Sequence, residues 1–298
     1  MRSVVSYPDR GKYGNSKYRG NCSGRLIKDI IEQYHISSLS DYMVGSGTTE
    51  DVCREMGVNG TYLDLNRGYD MMTCDIPERP ENIFWHPPYG GMIIYSDKMY
   101  SAQDIIQKYG FDPRTNDLSR AADWDDFVNK MNYCCLKQFS SLEKGGRMFV
   151  LMGDWKQKGK LYSMLCDIAK PGTLEQIIIK MEHNCVSDGR TYSNQNFVPI
   201  CHEYLMVLRK DESLIIPVSV SRKTAYDMRD TLSATWRDVV AAVLESSKKA
   251  LSLSEIYQAI SGHKKCAQNP HWQEKVRQTL QLGGCFRNVA RGVWAIAA

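Results

Sequence analysis

The sequence predicts a two-part α/β protein. A large domain is built on a parallel sheet that closes with an antiparallel hairpin, and a small winged helix-turn-helix module follows. Three observations predict this. Residues 36–64 run strand, glycine-rich turn, helix, strand and acidic end, the pattern of a nucleotide-binding βαβ unit. Residues 82–85 are a short apolar strand cut off by Pro87-Pro88. The C-terminal segment, residues 231–298, carries three helical patterns and a β-ribbon.

The 298 residues, 43% hydrophobic and 24% charged, can bury a sizeable core, and they suit a large domain at 1–210, a linker at 211–230 and a module at 231–298. No apolar run approaches the ~18 residues of a membrane span, and the N-terminus lacks a signal peptide's apolar region, so a cytoplasmic protein is expected. Ten cysteines are scattered without a C-x-x-C pair, which points to reduced, buried thiols and away from a zinc site. The net charge of +4 is uneven. From Arg222 onward twelve Lys/Arg face six Asp/Glu, a net of +6, against −2 for the rest. A basic C-terminal module points to a polyanion partner.

Taken in order, residues 1–20 are a polar arm with Arg2, Arg10, Lys12, Lys17 and Arg19 among three tyrosines, suited to touch nucleic acid or to pack over the sheet edge. Asn21-Cys22-Ser23-Gly24 precedes an amphipathic helix at 25–34, with Leu26, Ile27, Ile30 and Ile31 at helical spacing. A strand from Ile36 to Asp41 leads into Tyr42-Met43-Val44-Gly45-Ser46-Gly47-Thr48-Thr49, where Gly45 and Gly47 let the turn approach a cofactor. A helix at 49–56 stops at Gly57, and a second strand carries Asp64. Asp64 lies 17 residues past Gly47, close to the ~20 expected of a ribose-hydroxyl ligand. The third glycine of the dinucleotide spacing is missing, which argues against NAD. Asp75 falls at the expected end of a third strand.

Strand 82–85 ends in His86-Pro87-Pro88-Tyr89-Gly90. Each proline fixes φ at about −65°, removes an N–H and pushes the preceding residue towards extended geometry. The result is a stiff turn with free carbonyls beside the flat face of Tyr89, suited to holding a planar group that carries an amino nitrogen. A Pro-Pro-Tyr alone is a proline-terminated strand; the glycine-rich turn upstream gives it weight. Residues 95–122 are polar and long for a loop, hence functional, mobile or partly helical. A helix at 124–142, a strand at 147–154, a basic loop at 155–160 with Lys156 and Lys158, and a helix at 162–168 follow. The strands at 176–183 and 203–209 are joined by a polar loop without a helix, so they form a hairpin. In the C-terminal module, a helix at 236–244 precedes a Ser252–Glu255 capping box that opens a second helix to Ile260. Asn269 and Pro270 are expected to open the third, with Trp272, Val276 and Leu280 inward. Strands 285–289 and 293–296 flank Arg291-Gly292. Many modules of this plan bind DNA and a substantial minority pair proteins; here Arg277, Arg287 and Arg291, with Lys156 and Lys158, are the candidate DNA contacts.

Together these residues resemble the amino-methyltransferases that methylate exocyclic amines of DNA bases. The resemblance covers residues 20–210. Asn21-Cys22-Ser23-Gly24 is similar to the segment before that family's cofactor strand, and Asp41 with Gly45-Ser46-Gly47-Thr48-Thr49 to its D-P-F-x-G-S-G-T-T loop, Tyr42 standing where the proline usually is. His202-Glu203-Tyr204-Leu205 with Arg209-Lys210 is similar to its closing strand. The resemblance implies a Rossmann-like methyltransferase sheet, double-stranded DNA as partner, no metal, and DNA methylation of the restriction-modification kind. S-adenosylmethionine is the implied cofactor, held by Asn21, Ser23, Asp41, Gly45, Gly47, Thr48, Asp64 and Asp75. His86, Pro87, Pro88 and Tyr89 take the place of the family's catalytic [D/N/S]-P-P-[Y/F/W] turn. There an Asp, Asn or Ser oxygen and the first proline's carbonyl accept hydrogen bonds from the target amine. A neutral His86 offers one acceptor nitrogen and a protonated one offers none. The base is expected to flip out of the duplex and stack on Tyr89, with Tyr192 or Phe197 on its other face, adenine N6 slightly ahead of cytosine N4. Two other functions fit the same residues: an inactive winged-helix DNA-binding protein, or a methyltransferase acting on RNA or on a protein glutamine. The oligomeric state stays open, a homodimer included.

Overall fold

The structure, a computed structural model, describes residues 1–183, 197–222 and 234–297. The chain divides into two units, Met1–Ser221 and Arg222–Ala298.

The first unit contains, in order, β1 (Val4–Ser6), α1 (Gly24–Tyr34), α2 (Thr48–Met56), β2 (Asn82–Trp85), α3 (Ala102–Tyr109), α4 (Trp124–Ser141), β3 (Arg147–Met152), β4 (Asp154–Gln157), β5 (Lys160–Ser163), α5 (Met164–Asp167), β6 (Lys170–Pro171), β7 (Thr173–Met181), β8 (His202–Arg209) and β9 (Val218–Ser219). The main sheet has the order β1-β7-β8-β3-β2, with β8 antiparallel to both neighbours and the other pairs parallel. Isolated parallel bridges extend it past β2, from Ile83 to Ser40 and from Ser38 and Asp41 to Asn59 and Tyr62. This is the predicted α/β architecture, Rossmann-like with an antiparallel final hairpin. The apolar runs alternate between two buried faces, as in sheets covered on both sides. Ile83, Trp85, Met148 and Val150 pack on Phe127, Met131 and Phe139 of α4. Phe84, Phe149 and Leu151 pack on Leu26, Ile27 and Ile30 of α1 and Val52 of α2.

The strands expected at 36–41 and 62–65 are single bridges and not continuous ladders. The Ser40 hydroxyl takes the Thr61 N–H at 3.0 Å, a side-chain bond that competes with the ladder. Only glycine fits at position 60, where a Cβ would collide with the Leu39 carbonyl. Residues 65–67 turn into a 3-10 helix capped by Asp64. The third strand expected before Asp75 is instead a turn, because the Asp70 carboxylate takes the Met72 N–H at 2.9 Å and the Thr73 and Cys74 N–H groups bond back to the Asp70 carbonyl. The basic loop at 155–160 is the β4–β5 hairpin. Lys158 and Gly159 both have positive φ, 49° and 77°, which closes a two-residue turn and shortens the following helix to α5. The N-terminal arm packs on the protein: β1 pairs with the edge strand β7, while Gly14 and Asn15 donate to Asp51 and Ser46 around the glycine-rich turn. Part of 95–122 is helical, as α3 and two short 3-10 turns.

The second unit contains α6 (Trp236–Ser247), β10 (Leu251–Ser252), α7 (Leu253–Ile260), α8 (Lys264–Gln268), α9 (Trp272–Leu282), β11 (Phe286–Ala290) and β12 (Val293–Ile296), with an antiparallel sheet in the order β10-β12-β11. Thr235 with Asp238, and Ser252 with Glu255, form full capping boxes on α6 and α7. Val239, Val240, Ile256, Ile260, Val276 and Leu280 fill its own core. The third helix does not open at Asn269, whose side chain takes the His271 N–H at 2.9 Å; a short α8 intervenes and α9 begins at Trp272. No helix among the described residues is long and apolar enough to cross a membrane.

Candidate active site

Two adjoining recesses lie where the parallel strands of the first unit end, the usual place for a ligand in an open α/β sheet. They share Gly20, Asn21, Cys22, His86 and Tyr95.

The first recess is built on the glycine-rich turn. Asp41 is buried at its floor, taking the Met43 N–H at 3.0 Å and the Thr49 hydroxyl at 2.6 Å. Burial pushes its carboxyl up to about 7, although both hydrogen bonds pull the other way. Asp64 is buried too, and its oxygens take the Gly45 N–H at 2.8 Å and the Asn66 N–H at 2.9 Å. Its carboxyl is raised, again by burial first. Gly45 has φ 56° and sits under the Tyr18 ring, which a Cβ would meet at 3.3 Å. The Thr48 hydroxyl donates to Asn21, joining two residues that the sequence placed together at the cofactor.

Three expected residues lie elsewhere. Asp75 is exposed, and the wall position falls to Asp70, turned inward by its bonds to Met72 and to the Asn116 amide at 2.6 Å. Ser23 caps α1, taking the Arg25 N–H. Gly47 caps α2 at φ 95° and faces Arg67. Neither Ser23 nor Gly47 lines the recess.

Among the described residues, Asp41, Asp64, Asp70 and Asp117 line this recess and no lysine or arginine does. Buried carboxylates gain from a positive charge nearby and from hydroxyl or amine donors. The open space, mouth included, is about 840 Å³. These acceptors thus fit S-adenosylmethionine, whose sulfonium and ammonium are cationic and whose ribose and adenine carry donors.

The second recess holds the Pro-Pro turn. His86 and Pro88 face the first recess; His86, Pro87 and Tyr89 face the second. The Tyr89 ring packs against Gly153, where a Cβ would lie 2.5 Å from it, so only glycine fits there. Behind the ring runs a chain of polar groups, with Lys180 buried and His86, Tyr89, Glu203 and Glu182 partly buried. His86 Nε2 lies 2.9 Å from the Tyr89 hydroxyl, which donates to Glu203 Oε1 at 2.6 Å. Glu203 Oε2 takes a hydrogen bond from Lys180 Nζ at 2.7 Å, and Lys180 also donates to Glu182. Burial pushes the His86 imidazole below its usual range, and Lys180 adds to this; the Glu203 carboxylate, 3.9 Å away, works against it. Burial is the largest single influence on Glu203 and opposes its charge, yet Lys180, His86 and the hydrogen bond with Glu182 together outweigh it and hold the carboxyl low.

Glu203, Lys180 and Glu182 were not among the predicted site residues. The sequence did hold a signal: Lys180 interrupts the apolar run begun by Ile177-Ile178-Ile179, and Glu203 opens an apolar strand. The hairpin register pairs Lys180 directly with Glu203. Lys156 and Phe197 also line this recess, the ammonium 5.0 Å above the ring. Lys158 sits exposed at the hairpin tip and Tyr192 lies outside the described residues. In the second unit Arg277 is on α9, Arg287 on β11 and Arg291 in the β11–β12 turn, all exposed.

The Forkhead domain family profile matches residues 235–296, which agrees with the winged-helix arrangement of the second unit. Among solved structures the chain is similar to TrmN from Thermus thermophilus, at 12% identity, covering 65% of this chain and 51% of that one with a TM-score of 0.28. It is similar to TehB from Haemophilus influenzae, at 9% identity, 62% of each chain and a TM-score of 0.29. A third is the glycopeptide N-methyltransferase MtfA complexed with S-adenosyl-L-methionine, at 10% identity, 72% and 79% coverage and a TM-score of 0.27. The chain spans about half the length of the first and about three fifths of the second.

Proposed function

We propose that the chain is an S-adenosylmethionine-dependent DNA methyltransferase. Residues 1–210 methylate the exocyclic amine of a flipped base, adenine N6 ahead of cytosine N4, and residues 231–298 add duplex affinity. The observation that carries this is the position of the His86–Tyr89 turn in the wall between an acid-lined recess and an aromatic one. When bound, S-adenosylmethionine supplies an electrophilic methyl group. Asp41, Asp64 and Asp70 would hold its cationic and hydroxyl groups, while Asn21 and Thr48 hold the turn. On the other side the Pro87 carbonyl and the free imidazole nitrogen of neutral His86 accept the two amine hydrogens. This orients the nitrogen lone pair, and Tyr89 stacks on the base. Catalysis is then mostly positioning, and flipping the base costs a few kcal/mol.

The test is methyl transfer from labelled cofactor to a mixture of duplex DNA, RNA and protein. Label in duplex DNA, recovered as N6-methyladenine or N4-methylcytosine, is expected. Label only in RNA or in a protein glutamine would move the substrate. No transfer with intact cofactor binding would leave a DNA-binding protein that does not catalyse.

A further inference from the structure

The chain of polar groups behind Tyr89 has a direction, set by counting protons. A tyrosine hydroxyl has one proton to donate. At Tyr89 that proton goes to Glu203 Oε1, 2.6 Å away, the shorter of the hydroxyl's two hydrogen bonds. A carboxylate has no proton to return. The hydroxyl oxygen can then only accept from His86, so the 2.9 Å bond is an Nε2–H donating to oxygen. The opposite arrangement, with Tyr89 donating to His86, would leave two oxygens 2.6 Å apart with no proton between them.

We propose that Glu203 is a positioning residue: acting through Tyr89, it fixes neutral His86 as the Nε2–H tautomer and leaves Nδ1 as the nitrogen that accepts from the target amine. The second half of this rests on the methyltransferase function proposed above; the first half does not. Lys180 and Glu182 complete the device. Lys180, buried, bonds both carboxylates and keeps Glu203 ionised. Glu182 is the partner that holds a proton more readily, since burial and then the Glu203 charge push its carboxyl up. Glu203 therefore stays the anion that the relay needs. Arg19, Cys22, Tyr95, Asp154, Lys156 and His202 line the same recess; of the charges there, Glu203 and Lys180 are the ones that shift the His86 imidazole.

The experiment is long-range ¹H–¹⁵N spectroscopy of ¹⁵N-histidine-labelled full-length protein near pH 8, without substrate, with the His86 signal assigned by its loss in His86→Ala. The expected wild-type signal has a protonated Nε2 and an unprotonated Nδ1. Tyr89→Phe keeps the ring and the Glu203–Lys180 pair but removes the relay, so the preference should be lost. Glu203→Gln lets an amide donate to Tyr89, whose proton then turns to His86, so the tautomer should shift towards Nδ1–H. In both variants kcat should fall about tenfold or more with cofactor binding unchanged, the kind of loss seen when the partner orienting a catalytic imidazole is removed. A wild-type His86 protonated on Nδ1 overturns the proposal, as does a tautomer unchanged in Tyr89→Phe. Because the wild-type and Tyr89→Phe spectra decide it, a Glu203→Gln variant that folds poorly does not spare it. The expected tautomer in a protein that transfers no methyl group would support the relay and overturn the methyltransferase function alone.

Discussion

At the scale of single residues, the weight falls on His86. It stands where the resembled family has an oxygen acceptor, so it must be neutral to do the same work. Three influences decide its charge: burial lowers its pKa, Lys180 lowers it further, and Glu203 raises it. The net direction is down, so the folded pKa lies below the ordinary value of about 6.5. The neutral, accepting form then persists through neutrality, and turnover should be lost only as pH falls through the depressed pKa. A pH–rate profile whose acid limb has its midpoint clearly above about 6.5 would mean that the Glu203 charge wins. His86→Ala should lower single-turnover rates about tenfold or more while leaving cofactor affinity nearly intact; rates within a factor of about two of wild type would leave the amine to the Pro87 carbonyl alone. The His-Pro-Pro-Tyr turn was legible in the sequence because prolines act on their own neighbours. Glu203 was not, since it is 114 positions from Tyr89 and only the hairpin register brings Lys180 beside it.

At the scale of elements, the glycine-rich turn that leads into α2 is held by the acids that also face the recess. Asp64 is bonded to the backbone at Gly45 and at Asn66, so it shapes the turn as well as its wall. Asp64→Ala should therefore weaken S-adenosylmethionine binding several-fold or more by calorimetry, through a missing acceptor and a loosened turn together. Asp64→Asn keeps one acceptor oxygen and should recover part of the affinity. Affinity unchanged in both would remove Asp64 from the site. The helices flanking the turn and its glycines followed from local pattern, and α1 and α2 fall within a residue of where the sequence put them. The strands beside them did not become ladders because a serine hydroxyl and a close glycine approach, both tertiary, intervene between residues 39 and 61. Asp75 was misplaced for a related reason: the Asp70 side chain closes a turn that periodicity does not register.

At the scale of the whole molecule, the charge is divided as the chain is. The basic excess lies in the unit from Arg222 onward, which has its own core and a wing bearing Arg287 and Arg291. The helix-and-ribbon order was legible where a local signal marks it, as at the Ser252–Glu255 capping box and the Arg291-Gly292 reversal; α8 was missed and the start of α9 misplaced, because α9 opens without a side-chain cap. What the module does was not, because its outer residues have no partner in the sequence to report on. If it grips phosphates, affinity must fall with salt, since each neutralised phosphate releases counterions and contributes about 0.9 to the slope of log K against log salt. A chain ending at Ser221 should keep cofactor affinity, because the recesses lie wholly within Met1–Ser221, and should bind duplex DNA more weakly with a shallower slope. Replacing Arg277, Arg287 and Arg291 with Gln in the full chain should flatten the slope by about 0.9 for each phosphate no longer neutralised. The fold should stay intact, since all three side chains are exposed. If the truncated chain binds DNA as tightly as the full one at matched salt, the module serves another purpose, and pairing with a protein becomes the use to test.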